Sequence, residues 1–136
     1  MTKEEWAAIE KELSGTFGSV KLKADGHEVT FYRGLVGKNR LGIVTYVDGW
    51  IRGEWIVEPK KHPESKYLRP DAKYLWSRKE RLELKKMSKL ALKQSGIDPD
   101  KKFEFLRSDW PSVTAIRRHY EKNFENIELI IIGGEI

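Results

Sequence analysis

The sequence predicts one α+β domain over residues 1–136, an antiparallel meander of four strands with about three helices packed on it. Apolar runs flank two Asp-Gly dipeptides, Asp25-Gly26 and Asp48-Gly49, and this dipeptide favours type I′ hairpin turns because both central residues need positive φ. Elsewhere, apolar residues recur at helical spacing behind capping motifs. A chain of 136 residues is long enough for one domain with its own core.

The central hairpin is predicted over residues 40–57, with its turn at Asp48-Gly49 and Val47 opposite Trp50. Because successive strand residues point to opposite faces, alternate positions share the core side. That side is predicted to carry Gly42, Val44, Tyr46, Ile51, Trp55 and Val57. The other face is predicted to expose three apolar side chains, Val47, Trp50 and Ile56.

A helix and a shorter hairpin are predicted before the central hairpin. Thr2 to Glu5 has the T-x-x-E form of a capping box, and the helix behind it presents one apolar stripe of Trp6, Ile9 and Leu13. The shorter hairpin turns at Asp25-Gly26, which fixes its register. The predicted pairs are Val20 with Phe31, Lys21 with Thr30, Leu22 with Val29 and Lys23 with Glu28.

After the central hairpin, a proline-bearing segment over residues 58–70 is predicted to be a loop. A helix is expected from Arg78 to Ser95, because Ser77 begins an S-x-x-E capping box and Gly96 can end the helix in a left-handed conformation. Its apolar side is predicted to hold Leu84, Met87, Leu90 and Ala91.

The C-terminal part is predicted to contain a short strand at 103–106, a third helix and a last strand at 127–132. The third helix is expected to begin at Ser108 or Asp109, near Pro111. Its core stripe is predicted to be Val113, Ile116 and Tyr120. The β-branched run at 127–132 would extend the meander by one strand.

Positive charge is concentrated in one part of the chain. The whole chain carries +5, yet residues 60–93 contain twelve Lys or Arg against four Asp or Glu, a local +8 that leaves −3 for the rest. Arg81, Lys85, Lys89 and Lys93 follow one another at i, i+4 spacing, and each like-charged pair costs a helix roughly 0.2–0.5 kcal/mol. Nucleic-acid phosphates would relieve that repulsion. The alternative is a solvated lysine-rich face, whose repulsion salt screens within about 8–10 Å.

The residues predicted to bind nucleic acid are therefore the cations of this helix and two arginines of the third helix. They are Arg78, Arg81, Lys85, Lys86, Lys89, Lys93, Arg117 and Arg118. Interleaved aromatic residues such as Tyr67, Tyr74 and Trp76 suit single-stranded nucleic acid, although aromatic side chains more often pack in cores.

Catalysis is not expected from this sequence, and neither a metal nor a cofactor is predicted. The chain has no cysteine, and His27, His62 and His119 show no paired metal-ligand spacing. The charged N-terminus and the absence of an apolar run of about 20 residues predict a cytoplasmic protein without a membrane contact.

A second class of function stays open beside nucleic-acid binding. The basic helix or the outer face of the central hairpin could engage an acidic host protein, making the chain an interaction module or an inhibitor. Self-association through the run at 127–132 is a further possibility, since an apolar edge strand invites pairing.

Several stretches, taken together, give the chain a family resemblance. They are GSVKLKADGHEVTFYR, RLGIVTYVDGWIRGEW, YLWSRKERLELKKM and WPSVTAIRRHYEKNFENIELI. With its opening helix, the chain resembles the small accessory proteins encoded in bacteriophage and prophage genomes. The resemblance implies an accessory protein of phage type that binds nucleic acid or a host protein that handles it. It implies no site residue.

Overall fold

The computed structural model describes residues 1–133, and residue contacts divide them into two compact units. The larger unit comprises residues 1–69 and 106–133, and the smaller unit comprises Pro70–Phe105. The elements in chain order are α1 Lys3–Leu13, β1 Ser19–Ala24, β2 His27–Gly37, β3 Arg40–Val47, α2 Gly53–Val57, two 3₁₀ helices at Pro59–Lys61 and Pro63–Tyr67, β4 Arg69–Tyr74, α3 Arg78–Leu84, α4 Lys89–Ser95, β5 Lys102–Arg107, β6 Asp109–Trp110, α5 Val113–Asn123 and β7 Ile127–Ile132.

The α+β class is confirmed, and the sheet is larger than the predicted meander. Within the described residues, five antiparallel strands follow the order β6-β3-β2-β1-β7, while β4 and β5 form a separate two-stranded sheet. Only β1, β2 and β3 form a meander, and five α-helices replace the expected three within residues 1–133. The expectation of a single domain stays a prediction.

The first hairpin has the predicted register, with Val20 opposite Phe31 and Leu22 opposite Val29. Its turn residues Asp25 and Gly26 have φ of 46° and 88°, as a primed turn requires. The last strand is also confirmed, because β7 pairs antiparallel with β1. Local turn chemistry and period-two alternation were therefore sufficient for this part of the sheet.

Two helices of the larger unit have the predicted core stripes. The α1 capping box is present in both directions, and Trp6, Ile9 and Leu13 are buried. In α5, Val113, Ile116 and Tyr120 are buried. That helix begins later than predicted, because the Ser112 hydroxyl caps it and Asp109 lies in β6.

The prediction of a second strand in the central hairpin is wrong. Asp48 and Gly49 do form the turn, with φ of 51° and 83°, and Val47 pairs with Trp50 in a single bridge. The chain then forms α2 over Gly53–Val57. Pairing cannot continue along β3 because the distant strand β6 occupies that edge. Of the residues predicted to be exposed, only Trp50 is strongly exposed, while Val47 is buried and Ile56 is half-buried.

The predicted core face of β3 is also wrong. Ile43, Thr45 and Val47 face the core, whereas Val44 and Tyr46 are half-buried on the opposite face. Thr45 belongs inside because its hydroxyl accepts a hydrogen bond from the Trp110 indole at 2.7 Å. Of the other residues assigned to that face, Gly42 and Trp55 are buried, Ile51 is half-buried and Val57 is exposed.

The proline-bearing segment is more ordered than the predicted loop. It contains both 3₁₀ helices, and Tyr67 at its end is buried with its hydroxyl donating to the Ala24 carbonyl at 2.7 Å. The Ser65 hydroxyl donates to the Trp55 carbonyl at 2.7 Å. Buried hydrogen bonds thus hold this segment in the larger unit.

The predicted helix from Arg78 to Ser95 is interrupted. It consists of α3 and α4, separated by residues 85–88, and only its ends agree with the prediction. Ser88 adopts extended backbone angles and caps α4 by accepting the Ala91 N–H at 3.1 Å. Serine competes with helix continuation in this way. The interruption also removes the continuous helical edge that would have aligned like charges.

The core belongs to the larger unit. Eighteen buried hydrophobic residues of the described chain form one cluster, and all of them lie in this unit. In the smaller unit, all of whose residues are described, Pro99 alone is buried. No helix within residues 1–133 combines the length and apolarity needed to span a membrane.

Candidate nucleic-acid interface

The smaller unit carries most of the net charge. Its 36 residues contain ten Lys or Arg and six Asp or Glu, so its net charge is +4 of the chain's +5. The cations are exposed, apart from the half-buried Arg81. A small positive surface of this kind attracts polyanions.

Six of the eight predicted binding residues lie in this unit. Arg78 and Arg81 belong to α3, Lys85 is its C-terminal cap, Lys86 lies in the connection, and Lys89 and Lys93 belong to α4. The predicted i, i+4 ladder is therefore wrong, because Arg81 and Lys89 lie on different helices. The cations remain together in a compact unit without sharing one helical edge.

Few of these cations are neutralised by carboxylates. Lys85 Nζ lies 3.1 Å from Asp100 Oδ1, and both side chains are more than half exposed, so the pair contributes little. Arg78, Lys86, Lys89 and Lys93 form no ion pair with any carboxylate of residues 1–133. These four charges are available to an external anion.

Arg81 is held against an aromatic ring. Its guanidinium carbon lies 3.6 Å from the centroid of the Tyr74 ring, and Lys102 Nζ lies 4.6 Å from the same centroid. Arg81 Nε is buried and has no hydrogen-bond partner among the described residues. This cation–π contact keeps the cation beside Tyr74, a residue that is 41% exposed.

A second aromatic group lies on β5. Phe103 and Phe105 have ring centroids 5.7 Å apart, and Lys73 Nζ lies 5.7 Å from the Phe105 centroid. Phe103 is 48% exposed. The smaller unit therefore combines unpaired cations with accessible aromatic rings, the two features that single-stranded nucleic acid requires.

Sequence reasoning missed the strand residues of this surface. Lys73, Lys102 and Phe103 lie outside the helix to which the binding site was assigned. The sequence feature that could have identified them is a lysine directly followed by an aromatic residue, as in Lys73-Tyr74 and Lys102-Phe103. Tyr67 is a core residue, as the alternative interpretation of the aromatics held, whereas Tyr74 is accessible.

The two arginines of α5 differ from each other. Arg117 Nε donates to Glu121 Oε1 at 3.0 Å, and its guanidinium lies 6.0 Å from the Trp6 ring. Arg118 is exposed and forms no ion pair with a carboxylate of the described chain. Both arginines belong to the larger unit, whereas the other six predicted binding residues belong to the smaller unit.

No group of three or more potential ligands within residues 1–133 is arranged to hold a metal ion. His119 is committed to structure: its Nε2 lies 2.7 Å from the Lys66 carbonyl oxygen, which can only accept, so this nitrogen carries the proton. Burial lowers the pKa of His119.

The chain matches no protein-family model, and no curated protein and no solved structure shows significant similarity to it. Its function is therefore inferred from its own residues.

Proposed function

We propose that the chain is a non-catalytic accessory protein of phage type that binds single-stranded nucleic acid through the smaller unit. The observation that carries this proposal is the combination of unpaired cations and exposed aromatic rings in residues 70–105. No cofactor takes part. The proposed binding residues are the following: Arg78, Arg81, Lys85, Lys86, Lys89, Lys93, Lys102 and Phe103.

Charge supplies most of the binding free energy in this proposal. Each lysine that neutralises a phosphate releases a condensed counterion, so binding weakens steeply as salt concentration rises. Lys86, Lys89 and Lys93 are suited to this because no intramolecular carboxylate competes for them within residues 1–133. Their like-charge repulsion falls when an anionic strand lies beside them.

Aromatic rings supply the preference for single strands. A base stacked on an exposed ring contributes about 1–3 kcal/mol, and a duplex cannot offer its bases in this way. Phe103 is accessible for stacking, while Tyr74 already has Arg81 against it. Arginine side chains can also stack with bases, so the contact between Arg81 and Tyr74 adds a second group of this kind.

The first experiment measures fluorescence anisotropy of labelled single-stranded and double-stranded DNA and RNA. We expect micromolar binding of single strands, weaker binding of duplexes, and at least about tenfold weaker binding by Lys86/Lys89/Lys93→Glu. The matched control is Lys3/Lys11/Lys38→Glu, which makes the same charge change in the larger unit. Absence of binding by the wild-type chain at about 50 mM salt would disprove the proposal.

The second experiment tests stacking. Phe103→Ala removes an exposed ring without removing charge, and we expect single-strand binding to weaken by about 1–3 kcal/mol. Phe17→Ala is the control, because Phe17 is 93% exposed in the larger unit. Equal effects of the two substitutions would exclude a specific stacking role for Phe103.

A protein-binding function is the second candidate, supported by the edge strand β7. No strand of the described chain pairs with its outer edge, and Ile130, Ile131 and Ile132 are each exposed by more than a third. Such an edge can pair with a second copy or with an extended segment of a host protein. An acidic host protein could instead bind the cations of the smaller unit.

Sedimentation velocity and a nuclease-treated pull-down distinguish these possibilities. A dimer that dissociates in Ile131→Lys supports pairing between copies, whereas a monomer at high concentration excludes it. A host protein retained after nuclease treatment, and lost in Lys86/Lys89/Lys93→Glu, would favour binding of an acidic protein over binding of nucleic acid.

A further inference from the structure

A cavity of about 520 Å³ lies in the larger unit, at the end of the first hairpin and beside the two 3₁₀ helices. It is lined by cationic and imidazole side chains together with one carboxylate. These are His27, Lys60, Lys61, His62, Lys66 and Asp25. The volume is within the range of small-molecule sites in proteins. We call it the lysine–histidine cavity.

Three hydrogen bonds, two of them buried, fix one wall of this cavity. His119 donates from Nε2 to the Lys66 carbonyl at 2.7 Å, and the Tyr120 hydroxyl donates to the Tyr67 carbonyl at 2.8 Å. The Tyr67 hydroxyl in turn donates to the Ala24 carbonyl. Burial, together with Asp25, Asp48 and Glu64, raises the pKa of Tyr67 to about 12, so the phenol stays a donor. The lysine-bearing segment is thus held in place before any ligand binds.

His27 presents an oriented imidazole to the cavity. His27 Nδ1 lies 2.6 Å from Asp48 Oδ2, and the Glu28 N–H donates to Asp48 Oδ1 at 3.0 Å. The second ring nitrogen of His27, Nε2, has no hydrogen-bond partner among residues 1–133. An imidazole oriented by a carboxylate in this way offers its other nitrogen to a ligand.

The charges of the cavity favour an anion. Lys66 Nζ lies 3.4 Å from Asp25 Oδ2, and the same carboxylate accepts the Asn126 N–H at 2.9 Å, so the carboxylate that lines the cavity is already satisfied. Lys61 Nζ lies 2.7 Å from Glu58 Oε2 at an exposed position. Lys60 forms no ion pair with a carboxylate of the described chain. Three lysines and two histidines therefore line the cavity together with Asp25, and the neighbouring carboxylates Asp48 and Glu58 contact His27 and Lys61 in exposed pairs that contribute little.

We propose that the lysine–histidine cavity binds the phosphoryl group of a phosphorylated ligand. Lysine ammonium groups make charge-assisted hydrogen bonds to phosphate oxygens. The phosphoryl group could belong to a small free molecule or to the terminal phosphate of a nucleic-acid strand. This site is independent of the function proposed for the smaller unit, since it uses residues of the larger unit only.

The test is a titration of the full chain with inorganic pyrophosphate. Binding is monitored through the imidazole NMR signals of His27 and His62. We expect saturable shifts of both signals and a dissociation constant that rises about tenfold in Lys60/Lys61→Gln. The matched control is Lys23/Lys38→Gln, which removes the same charge elsewhere in the larger unit. Shifts that do not saturate, or equal effects of the two double substitutions, would overturn the proposal.

A second titration distinguishes the two sources of phosphate. A tetranucleotide with a 5′-phosphate is compared with the same tetranucleotide ending in a 5′-hydroxyl. Tighter binding of the phosphorylated form, lost in Lys60/Lys61→Gln, assigns the cavity to a strand end. Equal binding of the two forms, with pyrophosphate binding retained, assigns it to a small free phosphate.

The variants also separate this proposal from nucleic-acid binding by the smaller unit. Lys86/Lys89/Lys93→Glu is expected to leave the pyrophosphate titration unchanged, because these residues do not line the cavity. Lys60/Lys61→Gln is expected to leave binding of a long 5′-hydroxyl strand nearly unchanged. Either site can therefore fail while the other is confirmed.

Discussion

The two units of this chain differ in what fixes their structure. In the larger unit, large side chains such as Trp110, Tyr120 and Phe31 are almost fully buried in one cluster. In the smaller unit, comparable apolar residues such as Leu82 and Leu90 are 58% and 64% exposed. The 36 residues of the smaller unit are few for a core of their own.

This difference explains why apolar residues at helical spacing are buried in one unit but not in the other. Apolar residues at helical spacing are buried in α1 and α5, because a sheet face lies in the same unit to receive them. In α3 and α4 no residue is buried, and capping by Ser77 and Ser88 sets the ends of the helices. Local capping and charge thus determine the smaller unit, whereas burial determines the larger one.

The largest expected effect comes from truncating the core. Trp110→Ala removes a buried ring that also donates to Thr45, so we expect a loss of about 3–5 kcal/mol in the free energy of unfolding. Leu90→Ala, in the smaller unit, is expected to change it by less than about 0.5 kcal/mol. Urea denaturation followed by circular dichroism measures both.

If Trp110→Ala does not fold, Ile43→Val provides a milder test of the same core. Its expected cost is about 0.5–1.5 kcal/mol. A Leu90→Ala variant that loses as much stability as either core variant would show that the smaller unit has packing that its exposed side chains do not indicate.

A smaller effect is expected from the buried hydroxyl of Tyr67. Tyr67→Phe removes the buried hydrogen bond from the hydroxyl to the Ala24 carbonyl, and this loss is expected to cost about 0.5–1.5 kcal/mol. Tyr74→Phe is the matched substitution in the smaller unit, where the hydroxyl makes no hydrogen bond within residues 1–133, and it is expected to cost less than about 0.5 kcal/mol. Equal losses in the free energy of unfolding for Tyr67→Phe and Tyr74→Phe, measured by urea denaturation, would contradict the proposed difference between the two units.

The smallest effect is a pH dependence of the larger unit. Burial lowers the pKa of His119 below its ordinary value of 6.5, so the unfolded chain binds the proton more readily than the folded one. The free energy of unfolding is therefore expected to fall as pH decreases below about 6.5. His119→Gln keeps a donor for the Lys66 carbonyl but has no titrating ring. Its free energy of unfolding should therefore decrease less than that of the wild-type chain over about two pH units, from pH 7.5 to pH 5.5.

The sequence was most informative where structure depends on neighbouring residues. The turn at Asp25-Gly26, the register of the first hairpin, the caps at Thr2 and Ser77, and the stripe of α5 all follow from local geometry. The α5 cap at Ser112 lies three or four residues after the predicted helix start at Asp109 or Ser108, because Pro111 is a first-turn signal at either position.

The sequence was least informative where distant segments compete for one place. The two residues of β6 pair with the edge of β3 that residues 50–57 were predicted to occupy. No local sequence pattern indicates that residues 109–110 pair there instead. The lysine–histidine cavity likewise joins residues 25–27 to residues 59–67. In the candidate interface, Ser88 caps a second helix, whereas the capping box at Ser77 and the stop signal at Gly96 favoured one continuous helix.

The most direct test of the nucleic-acid proposal is the salt dependence of single-strand binding. For single strands the slope of log K against log salt is about −0.7 per phosphate contact. Lys86/Lys89/Lys93→Gln should therefore reduce the magnitude of the slope by about 2, while Lys3/Lys11/Lys38→Gln leaves it unchanged. A slope that is the same in the wild-type chain and in Lys86/Lys89/Lys93→Gln would contradict the proposal that these lysines contact phosphates.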